Sequence, residues 1–205
     1  AGATASRVLS IDYRLAPEYP YPAALEDCYA VIQHLWSYLD NANILYTPSL
    51  SLVGDSGGGA LCATLSALSQ RDSNLPIKKQ ALIYPSLDYT LSSPSVETLA
   101  HGYLLEKSRI QWYFDHYFQG NECRRATSPL FMPLFNQHPT TLIVTAGYCP
   151  LRDEGPRYIA KLEEVGVATE HHFEPTMIHA YLNLENLAPQ ACSRTYEAVS
   201  RFVNS

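Results

Sequence analysis

LSLVGDSGGG, residues 50–59, joins a short apolar run to a glycine-rich turn, and an Ala- and Leu-rich stretch follows from Ala60. The apolar run is typical of a buried strand, and the stretch after the turn is typical of a helix. The turn has the Gly-x-Ser-x-Gly spacing of a nucleophile elbow, which exposes a serine Oγ, here that of Ser56, between a strand and a helix. We expect glycine at both 54 and 58 because side chains there would collide in so tight a turn. An ordinary glycine-rich turn is the alternative, and the flanking strand and helix favour the elbow.

The composition fits a single α/β domain over residues 1–205. With 205 residues, of which 46% are hydrophobic, the chain can bury a sizeable core. Fourteen basic and twenty acidic residues give a net charge of −6, which argues against nucleic acid or an anionic membrane surface as a partner. No apolar run reaches the length of about 18 residues that a membrane span needs. The start lacks signal-peptide character, and five cysteines without a Cys-x-x-Cys pair predict reduced thiols in a cytoplasmic protein.

Strand and helix patterns alternate along the chain. Strands separated by helices predict right-handed crossovers and a doubly wound, mostly parallel sheet. In such sheets the chemistry collects at the carboxyl ends of the strands. The predicted strands are 8–13, 50–53, 80–84, 141–145 and the edge-like 167–173; the predicted helices are 24–39, 60–70, 108–118, 155–165 and 189–203.

Several motifs occur in a fixed order along the sequence. After DYRLAPE at 12–18 and PAA at 22–24 come GDSGG at 54–58, YP at 84–85, SPL at 128–130, PLRDEG at 150–155 and IHAY at 178–181. On these motifs the whole chain resembles the hormone-sensitive-lipase-like branch of the α/β-hydrolase carboxylesterases. The resemblance implies an α/β-hydrolase fold and hydrolysis of small, short-chain acyl esters through an acyl-enzyme. It also implies Ser56 as nucleophile, His179 as general base and the Gly57 N–H as an oxyanion donor.

The chain departs from the family pattern at Cys149. The pattern reads Asp-Pro-Leu-Arg-Asp-Glu-Gly, and its first aspartate is the triad acid, which holds the histidine tautomer and stabilises the imidazolium. A thiol with a pKa of about 8.5 is mostly neutral at pH 7 and is a weak hydrogen-bond partner. Asp153 or Glu154 could act as a substitute acid, although we expect Asp153 about one helical turn away, opposing the helix dipole. We therefore place Cys149 at the acid position and predict impaired activity.

A second departure lies upstream. Family members carry His-Gly-Gly-Gly before the Tyr-Arg-Leu-Ala-Pro-Glu segment, and its N–H groups form half of the oxyanion hole. That motif is absent from these residues, as are the family's first strands and N-terminal cap. The chain is therefore interpreted as the C-terminal portion of the usual catalytic domain: a fragment, a truncated product or part of something longer.

The remaining assignments are weaker. Tyr84, Met177 and Tyr181 lie near the predicted active face and could line a substrate pocket, or could equally belong to the core or rim. We find no phosphate loop, dinucleotide fingerprint or zinc motif, so no cofactor or metal is implied. A homodimer through the edge strand or last helix fits this architecture. Because Cys149 replaces an acid, a non-catalytic ligand-binding member of the same fold is the alternative to a serine carboxylesterase.

Overall fold

The protein is described by a computed structural model over residues 2, 4 and 6–205. Within these residues a four-stranded parallel sheet in the order β1-β2-β3-β4 forms the centre. The elements are α1 Ala23–Asn41, β1 Leu50–Asp55, α2 Gly57–Ser69, β2 Ile77–Ile83, α3 Pro94–Thr98, α4 Lys107–Tyr117, α5 Arg124–Thr127, a 3₁₀ turn Pro129–Phe131, β3 Thr140–Tyr148, α6 Glu154–Glu164, β4 Thr169–Ile178, a 3₁₀ turn Tyr181–Leu184 and α7 Pro189–Asn204.

Helices cover both faces of the sheet, as a doubly wound fold requires. One apolar cluster joins β2 and β3 to α4 and α7, and a second joins the opposite face of these strands to α2 and α6. The central strand β3 is therefore buried on both faces, which explains its continuous run of apolar and small residues. A third cluster packs α1 against α2. The α/β prediction is confirmed, and all five predicted helices are present with shifted ends.

The predicted strand at 8–13 is wrong. These residues form no strand, although Ile11 and Tyr13 pack partly against the cluster that joins α1 and α2. A strand needs backbone hydrogen bonds to a neighbour, and no described residue pairs with this segment. Of the two edges of the sheet, β1 therefore forms the one on this side: it pairs only with β2 among the described residues and leaves Val53 half exposed.

No helix in the described part of the chain is both long and apolar enough to cross a membrane.

Candidate active site

Each strand of the sheet ends one residue before a side chain of the candidate site. Ser56 follows β1, Tyr84 follows β2, Cys149 follows β3 and His179 follows β4. Because the strands are parallel and adjacent, these four residues meet at the carboxyl edge of the sheet. Positions separated by up to 123 residues in the chain are thereby brought into contact.

The turn at Ser56 has the backbone geometry of an elbow. Ser56 has φ 52° and ψ −116°, a conformation that a non-glycine residue adopts at a cost of order 1–3 kcal/mol. Three backbone hydrogen bonds hold it there: its N–H donates to Ile83 O at 2.9 Å, and its carbonyl accepts from Ser86 N at 3.2 Å and Ala60 N at 3.1 Å. The Oγ is therefore presented by the backbone rather than by packing of its own side chain.

The glycines of the elbow have unequal roles. A Cβ at Gly54 would lie 2.8 Å from Cys62 Sγ and still closer to the Gly58 carbonyl, so this glycine is required by close approach. Apart from its chain neighbours and the backbone of α2, a Cβ at Gly58 would meet no heavy atom within 4 Å, so the expectation of a collision there is wrong. The second tight position is Gly59, where a Cβ would lie 2.9 Å from Pro85 Cβ.

His179 lies between the other two side chains. Its Nε2 is 3.0 Å from Ser56 Oγ, and its Nδ1 is 3.1 Å from Cys149 Sγ. The ring is buried, and burial lowers its pKa to about 4. At neutral pH the imidazole is therefore uncharged and can accept a proton.

Cys149 has no exposed surface, and its thiol is neutral. Burial raises its pKa to about 12, reinforced by the Glu154 carboxyl, while the Leu151 N–H and Arg152 act in the opposite direction. A neutral thiol fits either of two tautomers of His179. When Nδ1–H donates to the sulfur, Nε2 is free to accept the Ser56 proton; when S–H donates to Nδ1, Nε2 carries the proton and cannot act as a base. The 3.1 Å contact thus positions the ring without selecting its reactive tautomer.

The sequence matches a family with this architecture. Residues 1–183 match the family described by the alpha/beta hydrolase fold. The chain belongs to the α/β-hydrolase family.

Two relatives of this α/β-hydrolase are named as ester hydrolases. It is 34% identical over 202 residues to the carboxylic ester hydrolase LipN of Mycobacterium tuberculosis, covering 95% of this chain and 54% of LipN. It is 36% identical over 181 residues to an arylesterase of Saccharolobus solfataricus, covering 85% of this chain and 58% of that protein. The crystal structure of a thermophilic carboxylesterase cloned from a metagenomic library superposes with a TM-score of 0.91 at 30% identity, over 98% of this chain and 69% of that one.

The resemblance to the hormone-sensitive-lipase-like carboxylesterases is confirmed by these matches. The chain spans little more than half the length of LipN and of the arylesterase.

Asp153 of this α/β-hydrolase accepts hydrogen bonds from groups other than His179. Its carboxylate accepts hydrogen bonds from the Ser95 N–H at 2.9 Å and from Arg152 Nε at 3.2 Å. It has no hydrogen bond to His179 within the described residues. The structure therefore gives Asp153 an anchoring contact with the first turn of α3 and does not bring it to the histidine as a substitute acid.

The aromatic rings of Tyr84 and Tyr181 pack next to the histidine site. The Tyr84 ring lies 4.8 Å from the His179 ring and 5.6 Å from the Tyr181 ring, centroid to centroid. Both tyrosines are almost fully buried, which agrees with the core packing considered for them beside the pocket assignment. Met177 is partly buried against the same cluster.

The role of Glu154 at this site is not evident from the sequence. It is fully buried at the start of α6, and its Oε2 accepts the Leu87 and Asp88 N–H groups of the loop that follows Tyr84. Burial outweighs these donors and raises its pKa to about 8. A glutamate in the first turn of a helix is ordinarily exposed, so no local pattern distinguishes this one.

Gly57 occupies the first position of α2, where a helix N–H has no intrahelical acceptor. This N–H is next to Ser56 and is available to a developing oxyanion. No cluster of metal-ligating side chains occurs in the described ranges, 2, 4 and 6–205.

Proposed function

We propose that this chain hydrolyses small, short-chain carboxylic esters, with Ser56 as nucleophile and His179 as general base. The observation that carries the proposal is the 3.0 Å contact between Ser56 Oγ and His179 Nε2 at the end of a strained strand-to-helix turn. A serine held this way beside an uncharged imidazole is the basic unit of acyl transfer. The esterase names of LipN and the arylesterase support the same chemistry.

The reaction proceeds through two proton shuttles. His179 Nε2 takes the proton from Ser56 as Oγ bonds to the ester carbonyl carbon, and the carbonyl oxygen becomes an anion beside the Gly57 N–H. The oxyanion then collapses, the alkoxide leaves with the proton from His179, and the acyl group stays on Ser56. A water molecule then attacks the acyl carbon while His179 takes its proton, and the same steps return the proton to Ser56 and release the carboxylic acid.

We expect this reaction to be slow because Cys149 occupies the acid position. As His179 becomes an imidazolium, the neutral thiol supplies none of the charge stabilisation that a carboxylate provides. In serine proteases, replacing the triad acid with an amide lowers kcat about 10⁴-fold, or about 5 kcal/mol of barrier. We therefore expect turnover well below that of enzymes with an aspartate at this position.

A labelling experiment tests the nucleophile directly. The folded chain is incubated with a fluorophosphonate probe, and the modified peptide is identified by mass spectrometry. We expect covalent labelling at Ser56, release of p-nitrophenol from p-nitrophenyl acetate, and loss of both in Ser56→Ala. Labelling elsewhere, or hydrolysis that survives in Ser56→Ala, would contradict the assignment.

One observation favours a second function. The neutral, buried Cys149 leaves the proton relay without an acid, as expected of a ligand-binding member of the fold that no longer catalyses. A folded chain that the fluorophosphonate does not label, yet that binds an ester without hydrolysing it, would support this alternative.

We further propose a cytoplasmic location and a homodimer, and we expect no nucleic-acid partner. All five cysteines are free, which suits a reducing compartment. Light scattering on the purified chain tests the dimer, and thiol titration of protein extracted under alkylating conditions tests the redox state.

A further inference from the structure

An open cavity of about 690 Å³ lies on the protein beside α5, the 3₁₀ turn at 129–131 and α6. Its charged lining consists of Arg125, Arg157, Lys161 and Glu164, three cations against one carboxylate in a chain of net charge −6. Its floor is apolar and includes Leu130 and the Phe131 ring. None of the residues that line the cavity belongs to the candidate active site.

Arg125 is the cation with unused hydrogen-bonding capacity. Its guanidinium carbon lies 3.9 Å from the centre of the Phe131 ring, in cation–π contact with the floor. Among the described residues Arg125 has neither a hydrogen bond nor an ion pair. Its planar fork of five N–H donors therefore remains available to an oxyanion.

The other two cations are held in place by contacts that leave part of their charge open. Lys161 Nζ donates to the carbonyls of Leu130 at 2.6 Å and Met132 at 3.1 Å, and neither partner is charged. Burial lowers the Lys161 pKa, with Glu164 opposing and Arg125 adding to the decrease. Because the ammonium is held by neutral carbonyls and lies beside a guanidinium, an anion bound here would stabilise both positive charges.

Arg157 is anchored through one nitrogen. Its Nη1 donates to Ser93 Oγ at 2.8 Å and lies 3.4 Å from both Ser92 Oγ and Asp88 Oδ2. Asp88 lies outside the cavity lining, and Thr90 and Ser92 also donate to its carboxylate. The remaining edge of the Arg157 guanidinium makes no hydrogen bond with a described residue.

We propose that this cavity binds a phosphorylated small molecule with an aromatic or apolar body. The phosphate would meet the free fork of Arg125 and the Lys161 ammonium, because charge-assisted contacts of this kind suit a dianionic oxyanion. The body would lie on the Phe131 and Leu130 floor, and the volume is in the range of ordinary small-molecule sites.

Calorimetric titration with phenyl phosphate tests the proposal, with benzyl alcohol as the neutral probe of matching body. We expect phenyl phosphate to bind and benzyl alcohol to bind at least about ten-fold more weakly. Arg125→Gln or Lys161→Met should weaken phenyl phosphate binding about ten-fold or more, because each change removes a charge-assisted hydrogen bond to the phosphate. Arg109→Gln is the matched control, because Arg109 is also exposed and lies over an aromatic ring, that of Trp112, outside the cavity.

No heat of binding, equal affinity for benzyl alcohol, or equal losses in Arg125→Gln and Arg109→Gln would overturn the proposal. Circular dichroism shows whether each variant is folded, and the exposed position of Arg125 makes its replacement a mild one. Because the cavity uses neither Ser56 nor His179, failure here leaves the esterase proposal untouched.

Discussion

Cys149→Asp should convert a weak esterase into a substantially faster one. The sulfur lies 3.1 Å from His179 Nδ1, so a carboxylate oxygen at this position would accept the Nδ1 proton directly. That bond selects the tautomer with Nε2 free and places a negative charge beside the forming imidazolium. Two unit charges at this separation attract by about 5 kcal/mol at an effective dielectric constant of about 20.

Part of that gain is lost to burial. Cys149 has no exposed surface, and an aspartate there gives up its hydration. The Leu151 N–H, which already lowers the Cys149 pKa, is one donor that offsets this cost. We therefore expect kcat/KM to rise about 10²- to 10³-fold, less than the 10⁴ by which serine proteases depend on their acid.

The assay is hydrolysis of p-nitrophenyl acetate and butyrate by the wild type, Cys149→Asp and the neutral isostere Cys149→Asn. The asparagine variant should stay near the wild-type rate, because it matches the shape of aspartate without its charge. In Cys149→Asp the carboxylate raises the His179 pKa from about 4, so the acid limb of the pH–rate profile should move to higher pH. A folded Cys149→Asp protein that is no faster than wild type, or an equal gain in Cys149→Asn, would refute the assignment of this position as the acid site.

The structure leads to three further expected outcomes. Gly54→Ala should lower the free energy of unfolding by more than about 2 kcal/mol and abolish fluorophosphonate labelling. Gly58→Ala, with open space at its Cβ, should keep the wild-type stability in urea unfolding. Equal losses of stability in the two variants would contradict the elbow geometry. Burial lowers the pKa of His138 and His179 from 6.5 to about 4, so between these pH values only the unfolded state takes up the two protons. The free energy of unfolding should therefore fall from pH 6.5 to pH 4, by up to about 3 kcal/mol per histidine. His138→Gln should make this fall less steep, and an unchanged slope would show that buried His138 is not one of its causes. In the folded protein the pKa of Glu154 is raised to about 8, so this residue lowers stability as the pH rises from 4.5 to 8. Glu154→Gln should lessen this loss of stability, measured by unfolding titrations at pH 6 and pH 8. An undiminished loss would contradict the assignment of the effect to Glu154.

The sequence predicted well wherever the determining interactions are local. The elbow is determined by a stretch of ten residues, and the helices are indicated by periodic apolar positions. Both predictions therefore lie within a few residues of the observed bounds. The strand at 8–13 failed because a strand depends on a partner elsewhere, which periodicity does not report. The hydrogen-bond partners of Glu154 and Asp153 could not be predicted for the same reason, since Leu87, Asp88 and Ser95 lie about sixty residues away in the chain.

The site separates the positioning of the catalytic side chains from their activation. Ser56 is placed by backbone hydrogen bonds and by the close approach at Gly54, and His179 is placed by the end of β4 and by the ring of Tyr84. None of these contacts requires a charge at Cys149, whose thiol completes the geometry at hydrogen-bond distance while remaining neutral. Loss of the acid therefore removes charge stabilisation while leaving the nucleophile and base in contact. That is why one substitution at this position is expected to change the rate by orders of magnitude without rearranging the fold.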